Sequence, residues 1–211
     1  MNVTGKSRRN FLQAVPCLLV ASTPGAAAAA TEPNVLGPWP DYSTQIGTLV
    51  SEMTWMRTKV IRTVKGLTTE QLDYLLDEKA NRIGALLLHL AATERVYQLL
   101  TFENVPGDKV EDHPHFKEWK MAMELGEPAR KTITGNKLEY YLNALEETRG
   151  KTLSEFRKRD DKWLQTVDKN WPWGPTNYLC MWFHVCEHES HHNGQISLIK
   201  GRTPGAKLEN G

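Results

Sequence analysis

Four of the seven histidines fall within one nine-residue segment, HVCEHESHH, as His184, His188, His191 and His192. Imidazole binds transition metals and exchanges protons near neutral pH, so this spacing could do chemistry. Read literally, residues 188–192 spell H-E-x-x-H. On a helix that string gives a metalloprotease two zinc ligands and a general base, here Glu189. The extended form of the motif needs Gly at 195 and His at 198, where this chain has Gln195 and Leu198. Downstream, only Glu209 could supply an acidic third ligand. Such proteases also hold peptide along a sheet edge, and no segment shows period-two alternation bounded by hairpin turns. The protease reading is therefore disfavoured.

Helical geometry selects a different set. Positions i and i+4 lie about 40° apart on one face, so His188 and His192 can converge on one ion, with His184 one turn earlier. Met181, Val185, Gln195 and Ile199 share that face and mark it as inward. His89 sits among Ala85, Leu86, Thr93, Val96 and Leu100 on another helix, where a lone imidazole is costly unless paired. Together His89, His188 and His192 make a three-His metal site with an open fourth position, the pattern of a catalytic centre. Imidazole ligands favour Zn, Ni or Fe over Mg or Ca. Each of these histidines taken alone would read as an ordinary core residue; the pair on an apolar face makes the metal reading the stronger one.

The elements that must position these residues are helical. Helix A starts at Asp41, carries Ile46, Leu49, Val50, Met53, Val60 and Val64 at spacings of three and four, and stops at Gly66. LTTEQLDYLLD opens with a threonine cap and predicts one short helix. Helix B spans roughly Asn81 to Glu103 and is apolar on most sides through IGALLLHLAA, as a buried helix is. A Pro-rich crossover from Val105 to Ile133 follows, with one short helix around FKEWKMAME and with His113 and His115 at the surface. Helix C spans Asn136 to Arg159, and helix D runs from Asn177 to a stop at Gly201. The fold class is all-α: a four-helix bundle with a long crossover from helix B to helix C.

Residues 1–30 read differently. SRRNFLQ, then the weakly apolar AVPCLLVA, then a run of alanines follow the order of a twin-arginine-type export signal. Its apolar stretch, broken by Pro16 and Pro24, is too short for stable membrane insertion. The expected location is periplasmic or extracellular. Residues 31–40 form an extended arm, 41–203 the bundle and 204–211 a flexible tail. With 26 basic and 25 acidic residues the formal charge is +1, and signal removal would leave 23 against 25, so nothing points to nucleic acid as a partner. Cys180 and Cys186 lie about 9 Å apart along one helix, too far for a disulfide, and are expected as free buried thiols.

The segments LTTEQLDY, RIGALLLHLAATE and FHVCEHESHHNGQISLIK, with a long crossover before the last, resemble the DinB-like superfamily over roughly residues 41–203. The His of LLLHLAATE and the string H-x-x-H-H-x-G-Q-I are the most specific parts. The resemblance implies a bundle holding a divalent ion on His89, His188 and His192. It also implies transferases and isomerases that use a low-molecular-weight thiol, bacillithiol or mycothiol, as nucleophile. Export departs from that pattern, because such thiols are chiefly cytosolic, and activated water would serve hydrolysis instead.

These observations describe a metal-dependent transferase or hydrolase acting on a small-molecule substrate. His184, Glu187 and Glu189 are the candidates for supporting the ligands or acting as general base. Arg82 and Gln195 are the candidates for orienting substrate, while Tyr97, Glu94, Trp171 and Trp173 read as packing, the two tryptophans close enough to line the mouth. A non-catalytic metal-binding bundle is the alternative. A homodimeric interaction module using the bundle exterior is a third, and a large apolar face on helix A would be its sign.

Overall fold

The computed structural model describes residues 34–206. Residues 1–30, read above as an export signal, and the last residues of the expected tail lie outside them. Four long α-helices dominate: α1 (Thr44–Val64), α3 (Ile83–Thr101), α6 (Leu138–Phe156) and α8 (Tyr178–Arg202). α1 packs on α8, α3 on both α6 and α8, and α6 also reaches α1, so the four close into a bundle. Among the described residues no helix is long and apolar enough to cross a membrane.

Helix ends follow local chemistry. α1 stops just before Gly66, whose φ of 77° is open to glycine at little cost. Its first amides are met from across the bundle, with Asp161 accepting from Gln45 N at 2.9 Å and from Ile46 N at 3.3 Å. A carboxylate there also complements the positive end of the helix dipole. α2 (Thr69–Leu72) is a single turn held by the capping box of Thr68 and Gln71. Asn177 caps α8 by accepting from Cys180 N at 2.9 Å. α8 passes through Gly201 rather than ending there, because the positive φ falls later, at Gly205.

The crossover is more helical than its prolines suggest. After a 3-10 turn it forms α4 (Pro114–Glu124) and α5 (Gly126–Thr132), broken at Leu125 and Gly126, both with positive φ. Pro114 suits the first turn of α4, where an amide would lack a partner anyway. His113 is that helix's N-cap and accepts from His115 N, so it is half-buried rather than a plain surface residue. After α7 (Asp161–Leu164), β1 (Val167–Asp168) and β2 (Thr176–Asn177) pair antiparallel. Two residues per strand are too few to show alternation, so the periodicity carries no sign of them.

Residues 34–43 lie across α1, with Gly37 N donating to Ser51 Oγ at 3.1 Å. The approach is close enough that a Cβ at Gly47 would sit 2.6 Å from Trp39 N. Ile61 is the one exposed large apolar side chain on α1 among the described residues, so that helix offers no broad apolar face. Cys186 is buried as expected, whereas Cys180 is exposed because it falls on the outer side of the first turn of α8.

A layer of four charges crosses the core, one from each long helix: Arg57 of α1, Glu94 of α3, Arg149 of α6 and Glu189 of α8. Arg57 bridges Glu94 at 2.8 Å and Glu189 at 2.6 Å, and Arg149 does the same at 2.8 Å and 2.7 Å. Burial opposes ionisation of Glu94, but Arg149 and Arg57 outweigh it and hold the carboxyl below its ordinary value. Apolar clusters lie on both sides. One holds Val60, Leu90, Leu145 and Ile196, the other Met53, Tyr97, Phe156 and Val185. Arg149→Met should cost about 3–5 kcal/mol in urea unfolding, because it leaves two carboxylates sharing the one guanidinium of Arg57 in a dry layer. A loss below about 1 kcal/mol would show that the layer does not hold the helices together.

Candidate metal centre

α3 and α8 bring together the three imidazoles that helical spacing selects. His89 leaves α3 and His188 and His192 leave α8 one turn apart, and their nearest nitrogens all lie within 4.8 Å of one another. Nε2 of His188 is 2.9 Å from Nε2 of His89 and 3.1 Å from Nε2 of His192. His89 and His192 are buried, while His188 is partly open.

Burial strips charge from these rings. His89 is lowered to about 4 by desolvation, against which its contact with the Ala122 carbonyl works. His188 is lowered to about 3, by burial first and then by the neighbouring imidazoles. His192 is lowered for the same leading reason. Three neutral rings are therefore expected at neutral pH, each with one free lone pair.

The outer hydrogen bonds decide where those lone pairs point. His89 Nδ1 lies 2.9 Å from the Ala122 carbonyl, which can only accept, so Nδ1 carries the proton. His192 Nδ1 likewise lies 2.9 Å from Gln195 Oε1. In both rings Nε2 is left as a lone pair facing the centre, which is how metal-binding histidines are held. The donor set fits a divalent transition ion such as Zn, Ni or Fe. No fourth side chain joins the group among the described residues, so one position would stay open.

The other proposed residues take varied places. His184 stays outside the group: the Tyr97 hydroxyl meets its Nδ1 at 2.7 Å, and its ring centroid is 5.2 Å from that of His188. Burial raises the Tyr97 pKa, so this hydroxyl keeps its proton. Glu187 is exposed, 3.9 Å from His184 Nε2. Glu189 points away from the imidazoles into the charged layer, because one residue along a helix turns the side chain by about 100°. Its Oε1 is taken by both Arg57 and Arg149. Arg82 precedes α3 and donates to the carbonyls of Asp73 and Arg130, tying the end of α2 to α5. Gln195 orients His192 and also meets His191 Nε2 at 3.1 Å.

Several neighbours escaped sequence reasoning. The Ala122 carbonyl arrives from the crossover, and no side chain pattern announces a backbone group. Thr93 Oγ1 lies 3.4 Å from His188 Nε2. Its position four residues after His89 was the available signal. The loop between β1 and β2 sets Trp173, 60% exposed, against His184 at 4.9 Å between ring centroids, while Trp171 packs against Tyr97.

The low values of these histidines imply acid sensitivity. Unfolded imidazoles take up protons below about 6.5, whereas folded His89 and His188 do so only near 4 and 3. In that window the unfolded chain binds more protons, so the stability of the metal-free protein falls as pH falls. The urea midpoint of chelator-stripped protein should drop from pH 7 to pH 5, and drop less in His188→Gln. Equal drops in both proteins would contradict the assignment.

Comparison with known proteins agrees with this geometry. Residues 48–205 match the family model of mycothiol-S-transferases, a DinB-like family. No curated protein matches the chain. The match covers all four long helices but for the first turn of α1, and includes all three convergent histidines. The chain belongs to the mycothiol-S-transferase family.

Proposed function

We propose that this protein is a metal-dependent thiol S-transferase that joins a low-molecular-weight thiol, mycothiol in the first instance, to a small electrophile. The observation that carries the reading is the convergence of three Nε2 atoms on a point with no fourth donor among the described residues. A divalent ion held there supplies Lewis acidity, which lowers the pKa of a thiol beside it.

The side chains around that point have separable tasks. Ala122 and Gln195 hold the tautomers of His89 and His192. With Tyr97 donating to His184 Nδ1, neutral His184 carries its proton on Nε2, 3.9 Å from Glu187 Oε2. That N–H can donate to an electronegative atom of the electrophile as charge builds there. Trp173 gives the mouth an apolar edge where the electrophile can shed water. Transfer forms one C–S bond and breaks one bond from carbon to the leaving group. The leaving group departs with the bonding pair, and the thiol proton passes to solvent.

The twin-arginine-like leader supports a further part of the proposal, that the domain folds and takes up its ion before export. On this reading the thiol it uses lies outside the cytosol.

The test is a fluorogenic haloalkyl bimane offered with mycothiol to zinc-loaded protein. The expected result is zinc-dependent thioether formation, lost together with bound zinc in His89→Ala. Transfer at the background rate with a full equivalent of zinc bound would contradict the reading and favour a non-catalytic metal protein.

A further inference from the structure

Several threonines inside these helices behave alike, and Thr93, beside the metal centre, departs from them. Thr54, Thr58, Thr63 and Thr101 each turn the hydroxyl back to the carbonyl four residues earlier, at 2.7–3.0 Å. That is the usual resting place of a helical threonine hydroxyl. Thr93 could do the same with the carbonyl of His89 and does not. Its Oγ1 instead donates to the thioether sulfur of Met123 at 3.8 Å and lies 3.4 Å from His188 Nε2. Thr93 is 5% exposed, so water offers little compensation.

A thioether is a weak acceptor. A buried hydroxyl that gives up a backbone carbonyl for one is under-satisfied, and such groups call for an explanation in the site they face. Here that site is the point where the three imidazoles converge. Once the Nε2 lone pairs are engaged by an ion, His188 no longer offers an acceptor to Thr93. The hydroxyl is then free to donate to whatever stands on the open side.

We infer that Thr93 is a positioning residue whose hydroxyl donates to the sulfur of the thiol held at the open side of the three-His group. The contact with Met123 shows that the hydroxyl can make an O–H···S bond from this position. An anionic sulfur is a stronger acceptor than a thioether, because hydrogen bonds to ionised partners are roughly twice as strong. Thr93 exchanges one sulfur for the other without leaving its place on α3. Met123, in α4, serves as the resting acceptor. This inference rests on the thiol-transfer reading and adds to it the group that orients the sulfur.

The experiment uses cobalt(II)-loaded full-length protein and 2-mercaptoethanol as probe, and reads the sulfur-to-cobalt charge-transfer absorption. Thr93→Val keeps the shape of the side chain and removes the hydroxyl. It should retain the cobalt content and ligand-field spectrum of wild type and bind the thiol about tenfold more weakly, as loss of one charge-assisted hydrogen bond requires. Thr93→Ser should restore affinity to near wild type. Should Thr93→Val lose its cobalt, Thr93→Ser and Met123→Leu carry the test, and both must bind thiol as wild type does. Equal thiol affinity in wild type and cobalt-loaded Thr93→Val would overturn the inference and leave the thiol-transfer reading standing. Absence of any charge-transfer band in cobalt-loaded wild type would overturn both.

Discussion

The charged layer at mid-bundle sets the register on which everything else depends. Arg57, Glu94, Arg149 and Glu189 come from four different helices and meet within hydrogen-bond distance, with apolar clusters on both sides. Apolar packing alone tolerates sliding by a turn at modest cost. A layer of charges does not, since any slip would bury an unpaired carboxylate or guanidinium. Two of its members adjoin the metal centre along the chain: Glu94 follows Thr93, and Glu189 follows His188. Locking these two carboxylates therefore locks the rotation and height of α3 and α8, and with them the separation of His89 from His188.

Given that register, the chemistry follows from desolvation and from two hydrogen bonds. Burial keeps the imidazoles uncharged, and the Ala122 carbonyl and Gln195 turn their lone pairs inward. His188 Nε2 lies about 3 Å from each of the other two nitrogens. Such close nitrogens repel one another unless a proton or a cation stands between them, and low pKa values disfavour an added proton at neutral pH. A divalent ion relieves that repulsion. The same desolvation that destabilises the metal-free protein in acid makes the site selective for a metal over protons.

Much of this was legible in the sequence, and what was missed shares one cause. Periodicity located the four long helices, and spacing at i and i+4 with one apolar-face His on a second helix picked out His89, His188 and His192. Glu189 stands beside His188 as a candidate for supporting the ligands, yet Arg57 and Arg149, on helices distant in sequence, draw it into the charged layer. Nothing in the local pattern around Arg57 or Arg149 marks them for the core. Arg82 shares the face of His89 in projection, yet it precedes α3 and donates to the carbonyls of Asp73 and Arg130. Ala122 contributes a backbone atom from a crossover whose path no local pattern specifies. Contacts between segments distant in sequence were the common blind spot.

The central claim is that three imidazoles hold an ion and leave one position for a thiol sulfur. X-ray absorption spectroscopy on the zinc-loaded protein, with and without a saturating thiol, tests it most directly. The account predicts three imidazole nitrogens at about 2.0–2.1 Å, joined on thiol addition by one sulfur at about 2.3 Å. A shell of four imidazoles, or a spectrum unchanged by thiol, would contradict it.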